Sequence, residues 1–258
     1  NWIDILEITD FIVNPFQIKL IQSLKTANQI IDYRDGYIIK ISCDEYTGYG
    51  ESSPLYKFSS ESLKEVSYVL EAYRLAVSDI GRTSITELIE LIPIHCGGVP
   101  SAEFGLETAL LDLASKIDGV SLSKYLNPNA LDTINSNGII GFHSPKDKFS
   151  TMKVKIGYRN LFDEINLLEN LTLDFGGNVK FRLDANGGLD LTKSIRLCKE
   201  LEAFNIDYIE QPLPKGELED LAELRNHTSI PIAVDESLSD FESAEKIIQK
   251  QSADVFVI

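Results

Sequence analysis

The chain is short of cysteine, of positive charge and of long apolar runs, and each shortage removes a class of protein. Its three cysteines, Cys43, Cys96 and Cys198, are odd in number, lie far apart and form no C-x-x-C. That usage points to a reducing compartment rather than a disulfide scaffold. Lysine and arginine number 24 against 40 aspartates and glutamates, a net charge of -16. Nucleic acid and anionic membrane both need a basic face, so neither is expected as a partner. No apolar run approaches the ~20 residues of a membrane span. The first residues lack the basic and apolar segments of a signal peptide, which makes a cytoplasmic protein the expectation. The acidic balance still leaves room for a small anionic substrate, provided a metal ion and a few lysines create a local positive site.

What is present is ordinary soluble-protein material, 43% hydrophobic and 25% charged over 258 residues. That length suits two domains, or one barrel with an attachment. The first part, residues 1–131, reads as an α+β module. Trp2–Val13 and Tyr37–Cys43 are rich in Ile, Val and aromatics and predict strands, with a turn at Arg34-Asp35-Gly36. Gly48-Tyr49-Gly50-Glu51 follows, with Glu51 expected in a turn. Leu63, Val66, Leu70, Tyr73 and Val77 recur at helical spacing and predict a helix over 60–78. Ser84-Ile85-Thr86-Glu87 fits a capping box for a second helix, which Pro93 would end. Ser101 is placed to cap a third, whose buried stripe is Ala102, Leu106, Ala109, Leu110 and Leu113.

From about Asp132 short strands alternate with helices. The strand candidates are 134–140, 152–156, 179–183, 208–210, 232–234 and 254–258. Helical patterns occupy 162–173, 191–204, 218–226 and 241–249, Ser239-Asp240-Phe241-Glu242 fits a capping box, and Gly176-Gly177 suits a helix end. Four of the strand segments end in charge: T-M-K-V-K-I-G from Thr151, F-R-L-D-A-N-G from Phe181, Y-I-E-Q-P-L from Tyr208 and I-A-V-D-E-S from Ile232. Side chains alternate along a strand, so Lys153 and Lys155 share one face and Met152, Val154 and Ile156 the other. The steps from Lys155 to Asp184, Glu210 and Asp235 are 29, 26 and 25 residues, close to the ~30 of one strand-plus-helix unit. The charges thus recur at carboxyl ends of successive strands, where (β/α) barrels keep their active sites. Three carboxylates there make an all-oxygen site for a hard divalent cation. Two lysines beside it suggest proton transfer at a carbon next to a carboxylate.

The ordered motifs K-x-K, D-x-N, E-Q-P and D-E-S resemble the enolase superfamily, specifically its muconate-lactonizing subgroup. Within it the chain is most similar to the o-succinylbenzoate synthases. Arg34-Asp35-Gly36, Gly48-Tyr49-Gly50-Glu51 with Pro54 and Phe58-Ser59, Phe104-Gly105-Leu106-Glu107 and Asn135-Ser136-Asn137-Gly138 carry that finer likeness. The resemblance implies an α/β fold, a TIM-like (β/α) barrel over residues 132–258 with an N-terminal α+β capping domain over 1–131. It implies Mg2+ held by Asp184, Glu210 and Asp235, with Asn186 and Glu236 beside these ligands. Lys155 would take the proton α to the substrate carboxylate, and Lys153 would hold the substrate and stabilise the enediolate. The implied reaction is dehydration of 2-succinyl-6-hydroxy-2,4-cyclohexadiene-1-carboxylate, a step toward menaquinone or phylloquinone. The alternatives are a dipeptide epimerase or N-acylamino acid racemase of the same superfamily, or a non-catalytic fragment or binding protein.

Blander readings compete with several of these residues. A Lys-x-Lys pair is usually a solvated strand face, but the helices covering a parallel barrel leave little such face. An Asp just after a strand is often a helix N-cap. Lys180 and Arg182 share the face of Asp184 and suit a structural ion network lower in the barrel. His95 is expected to pack, His143 to lie in a loop, and His227 to sit at a helix end where the dipole favours a cation. Eight strands close such a barrel. Six are counted before Ile258, so an incomplete barrel is expected, whose native frame continues with a lysine and two more βα units.

Overall fold

Two hydrophobic cores that share no residue divide the chain in the computed structural model, which describes residues 5–25, 30–55, 59–141 and 148–258. The compact units around them are Asn1–Asp132 and Thr133–Ile258. In the first, β1 (Leu6–Glu7) pairs antiparallel with β5 (Arg82–Thr83). The strands β2 (Asp10–Lys25), β3 (Ile30–Cys43) and β4 (Tyr46–Ser52) form an antiparallel sheet in that order. Helices α1 (Leu63–Ser78), α2 (Ile85–Cys96), α3 (Pro100–Ile117) and α4 (Leu122–Leu126) complete the unit. Ser62 and Ser84 each open their helix with a capping box, to Glu65 and Glu87 respectively. Tyr73 is buried among Leu70, Leu88 and Leu110, and its hydroxyl donates to Leu88 O at 2.7 Å. His95 packs edge-on against Tyr73, as expected for a packing histidine.

Five local expectations in this unit are corrected. Arg34-Asp35-Gly36 lies inside β3, paired with Ile18, Gln17 and Phe16, and makes no turn. Gly36 is there for close approach: a Cβ on it would lie 2.6 Å from Ser53 Oγ and 2.7 Å from Phe16 Cζ. Pro15 falls in β2, an edge strand of the sheet, where its missing N–H is tolerated. Pro93 stands inside α2, one turn before its end, so it does not terminate the helix. Ser101 does not cap α3; Val99 is the N-cap and Pro100 the first helical residue. The carboxylate of Glu61 accepts from Ser101 N at 3.0 Å instead, satisfying a helix-start donor from 40 residues away. Glu51 belongs to β4 rather than a turn. The strand expected over 2–13 is interrupted after Glu7, and its first three residues, like Phe58 and His143, lie outside the described residues.

The second unit runs β6 (Gly138–Ile139), β7 (Thr151–Lys155), α5 (Leu161–Phe175), β8 (Lys180–Asp184), α6 (Leu191–Leu201), β9 (Ile206–Glu210), α7 (Leu218–Arg225), β10 (Ile232–Val234), α8 (Phe241–Lys250) and β11 (Val255–Phe256). All six strands are parallel and neighbour one another in chain order. Unbroken sequential order with a helix after each of β7 to β10 is the wall of a TIM-like barrel, not a doubly wound sheet. Met152, Val154, Phe181, Leu183, Ile209 and Val234 belong to one core with Leu168, Leu197, Leu201, Leu221 and Leu224 of the helices. The first and last strands are shorter than expected, two residues each. The capping box of α8 begins at Asp240, with Ser243 as its reciprocal partner, rather than at Ser239. Gly176 ends α5 at φ +75°, the conformation for which glycine suits a helix end. Among the described residues no helix is long and apolar enough to cross a membrane.

Candidate active site at the strand ends

Register brings the charged residues into one row. Lys155 is paired with Asp184, and Asp184 with Glu210, across β7, β8 and β9. Because parity is conserved along the row, the side chains of all three rise on one side of the sheet. Lys153, two residues back, comes up on the same side. Its ammonium donates to Glu210 Oε1 at 2.7 Å and Oε2 at 2.8 Å, and lies 2.9 Å from Asp184 Oδ2. Lys155 Nζ donates to Asp184 Oδ2 at 2.7 Å and to Asn186 Oδ1. Asn186 in turn donates from its amide to Glu236 Oε1 at 2.9 Å, and its backbone N–H reaches Asp184 Oδ1 at 3.1 Å.

The two carboxylates are buried at 1% exposure each, while the Lys153 and Lys155 side chains are 23% and 54% exposed. Burial alone would favour the neutral carboxyl. For Asp184 that push is outweighed by Lys155 and Lys153, and its pKa is lowered. For Glu210 burial prevails, helped by the charges of Asp184 and Asp235 against the pull of Lys153, and its pKa is raised. Burial would also lower Lys153, but its bonds to Glu210 and Asp184 hold it above the ordinary lysine value. The cluster therefore carries a firmly charged ammonium between two carboxylates of unequal acidity.

Asp235 is displaced from this row. Glu210 pairs with Ala233, so Asp235 stands two residues further on, past the end of β10. Its charge is felt at Glu210, but among the described residues no three His, Cys, Asp or Glu side chains gather closely enough to hold a metal ion. Glu236 beside it has one buried oxygen, Oε2, without a hydrogen-bond partner. Lower in the sheet Arg182 bonds Asp207 at 2.9 Å and Asn137 at 3.0 Å and lies over the Tyr208 ring, and Lys180 is 3.8 Å from Asp207. That is the structural ion network its position suggests. His227 Nδ1 is 2.9 Å from Glu223 O at the end of α7, away from the row.

Two residues that shape the site escape a reading by motif. Glu164, buried in the first turn of α5, accepts from the backbone N–H groups of Gly157, Tyr158 and Arg159 at 2.8, 3.2 and 3.1 Å. It thereby fixes the turn that follows Lys155, where Gly157 has φ +86°. Gln211, next to Glu210, bonds to Asp235 N and Ser237 N. The only sequence signals are an acidic residue four after the cap Asn160 and the glutamine of E-Q-P. Neither announces a partner, because the partners belong to folded loops.

The fold and the row of lysines and carboxylates define a (β/α) enzyme class, and sequence comparison places it. Residues 143–258 match the family described as "Enolase C-terminal domain-like", and residues 10–113 match "MenC, N-terminal domain". The two matched segments are domains of the enolase superfamily type, an N-terminal domain of the capping kind followed by a barrel domain. Among relatives, an L-Ala-D/L-Glu epimerase of Francisella tularensis subsp. novicida is 25% identical over 97% of this chain and 73% of its own length. The substrate-liganded L-Ala-D/L-Glu epimerase of Bacillus subtilis superposes with a TM-score of 0.84 at 24% identity, over 97% of this chain and 74% of that one. The Enterococcus faecalis dipeptide epimerase, complexed with Mg and the dipeptide L-Leu-L-Tyr, gives 0.83 at 24% identity over the same shares. These two likenesses carry the fold.

Proposed function

We propose that the row at the strand ends removes a proton α to a carboxylate with magnesium bound, that Lys155 is the base, and that the substrate is a dipeptide or related amino-acid derivative which is epimerised. The observation that carries the reading is the row itself: two buried carboxylates bridged by Lys153, with Lys155 beside them at the carboxyl ends of adjacent strands. Burying such charge costs several kcal/mol per ion, and active sites are where that cost is commonly retained. The choice of reaction follows the relatives named above, which favour epimerisation over the dehydration to which the local motifs are similar.

The donors fit a hard dication. They are all oxygen, and the orphaned buried Oε2 of Glu236 marks an unmet acceptor beside them; Asp184 and Glu210 would hold the ion once Asp235, displaced in this structure, closed on them. Bound there, magnesium supplies positive charge to the substrate carboxylate as the α-proton leaves. A cation entering would compete with the Lys153 ammonium for Asp184 and Glu210. Lys153, held charged by those bonds, suits stabilising negative charge on the substrate rather than taking a proton. Lys155, bonded to Asp184 and Asn186 and half-exposed, is the more accessible of the two lysines, as a base that must meet a substrate carbon has to be. Lys153 and Lys155 share one face of β7, so they cannot serve both faces of that carbon. Epimerisation then requires a proton donor from another part of the barrel.

A second reading keeps the α-proton step and follows it with loss of water to an aromatic product, as in o-succinylbenzoate synthase. The Asn135-Ser136-Asn137-Gly138 segment and the match of residues 10–113 to the MenC N-terminal domain favour it. One experiment separates the two. The protein with Mg2+ is incubated in heavy water with L-Ala-L-Glu, and α-deuterium and the L,D epimer are followed by NMR. A parallel sample receives the cyclohexadiene carboxylate and is read by ultraviolet absorbance. Epimer formation supports the first reading and aromatic absorbance the second. Undiminished Mg2+ affinity in Glu210→Gln by calorimetry removes the metal assignment from both.

A further inference from the structure

Loops after β8, β9 and β10 border the proposed site, and one residue ties all three together, through its backbone to the first and through its side chain to the other two. Gln211 is wholly buried and adopts φ +38°, an unfavourable conformation for a residue with a Cβ. Its backbone N–H donates to Ala233 O at 2.8 Å, and its carbonyl accepts from Gly187 N at 2.7 Å in the loop after β8. Its side chain does more. Oε1 accepts from Asp235 N at 3.2 Å and Ser237 N at 3.0 Å, while Nε2 donates to Leu213 O at 2.8 Å and Ser237 Oγ at 2.9 Å. The two N–H donors on one side and the carbonyl on the other fix which end of the amide is oxygen.

We propose that Gln211 is a positioning residue, setting Asp235 and Glu236 relative to Glu210 and Asn186, a role that rests on the metal reading given above. Asp235 lies beyond the last paired residue of β10, so the sheet itself does not place its backbone. The Gln211 amide supplies that placement, holding the N–H groups on either side of Glu236 at fixed points. The strained backbone puts the side chain under the β10 loop rather than into the core of the preceding strand. Glutamine is required: a glutamate would set an oxygen against the Leu213 carbonyl, and a methionine would leave all four partners unmet.

The test uses Gln211→Met, with amide hydrogen exchange by NMR and Mg2+ titration by calorimetry as separate readouts. The expected result is loss of protection at Asp235 and Ser237. Mg2+ affinity falls about 10- to 100-fold, the usual effect of removing a group that orients metal ligands. The circular dichroism spectrum is unchanged. Lost protection with unchanged Mg2+ affinity overturns the proposal and leaves Gln211 a merely structural residue, and so does protection that persists. Should Gln211→Met fail to fold, Ser237→Ala, which removes one partner of Nε2, is expected to shift both readouts in the same direction but less. Movement of exchange without movement of affinity there overturns the proposal equally. Asp235→Asn separates the two failures. If it keeps full Mg2+ affinity, the metal reading falls and the positioning role falls with it. If it loses affinity while Gln211→Met does not, only the positioning role falls.

Discussion

The two units of this chain place their charged side chains differently. In Asn1–Asp132 several carboxylates serve the backbone. Glu65 and Glu87 close capping boxes, Glu61 receives the N–H of Ser101, and Glu103 receives that of Gly98. Its ion pairs, such as Arg74–Glu71 and Lys116–Asp112, sit at the surface, where such a pair contributes about 0–1 kcal/mol. The second unit also caps its helices, with Asn160, Asp190 and Asp240. Among the described residues it alone buries two carboxylates under two lysines at its strand ends. A fold gains little from that arrangement, since a buried ion pair often does no better than apolar packing. The contrast teaches where to look for chemistry: at charge whose burial structure alone does not explain.

The largest expected effect falls on the second unit. Lys155→Ala should lower α-proton exchange into heavy water by about 10²- to 10⁴-fold, the usual worth of a general base. The half-exposed side chain is not part of the core, so the thermal midpoint should hardly move. Near-normal exchange in this variant would break the comparison by making the row structural.

Alkaline titration probes both units together. Burial pushes the Cys96 thiol, in the first unit, up to about 12 and the Cys198 thiol, in the second, up to about 11. A thiol whose folded value lies above its unfolded one stabilises the fold fully below the ordinary value of 9.0, and that stability is lost as pH rises toward the folded value. Unfolding free energies from denaturant melts should therefore be flat below pH 9 as far as the thiols are concerned, then fall by an amount on the order of a few kcal/mol. Neither thiol should react with a disulfide reagent at pH 8 until the protein unfolds. Rapid reaction of either one would contradict its burial.

A second substitution strikes the first unit alone. A Cβ at Gly50 would lie 1.9 Å from the carbonyl oxygen of Gly105, where β4 crosses α3. Gly50→Ala must push strand and helix apart, and should cost about 1–3 kcal/mol or more in a urea melt. The smallest effect is at a cap. Ser84→Ala removes the bond to Glu87 N and should lower stability by about 1 kcal/mol. A loss several times larger would mean that the start of α2 is fixed by more than its cap.

Much of this was written locally. The capping box at Ser84 needs only residues three apart. The buried stripes of α1 and α3 need only helical periodicity. Strand parity put Lys153 and Lys155 on one face, and unit-length spacing put Asp184 and Glu210 at neighbouring strand ends. These features depend on dihedral geometry and on a repeat length that the chain carries in itself. Other features were decided by partners distant in sequence. Arg34-Asp35-Gly36 has turn composition yet forms strand, because Gly36 must let Phe16 and Ser53 close over it. Glu61 replaces Ser101 at the start of α3 because folding brings a better acceptor to that helix. Asp235 has the spacing of the row but stands beyond it, since β10 ends its pairing early and the amide of Gln211 takes up the backbone. Periodicity is a property of the chain, whereas the satisfaction of a buried polar group depends on what the tertiary fold brings beside it.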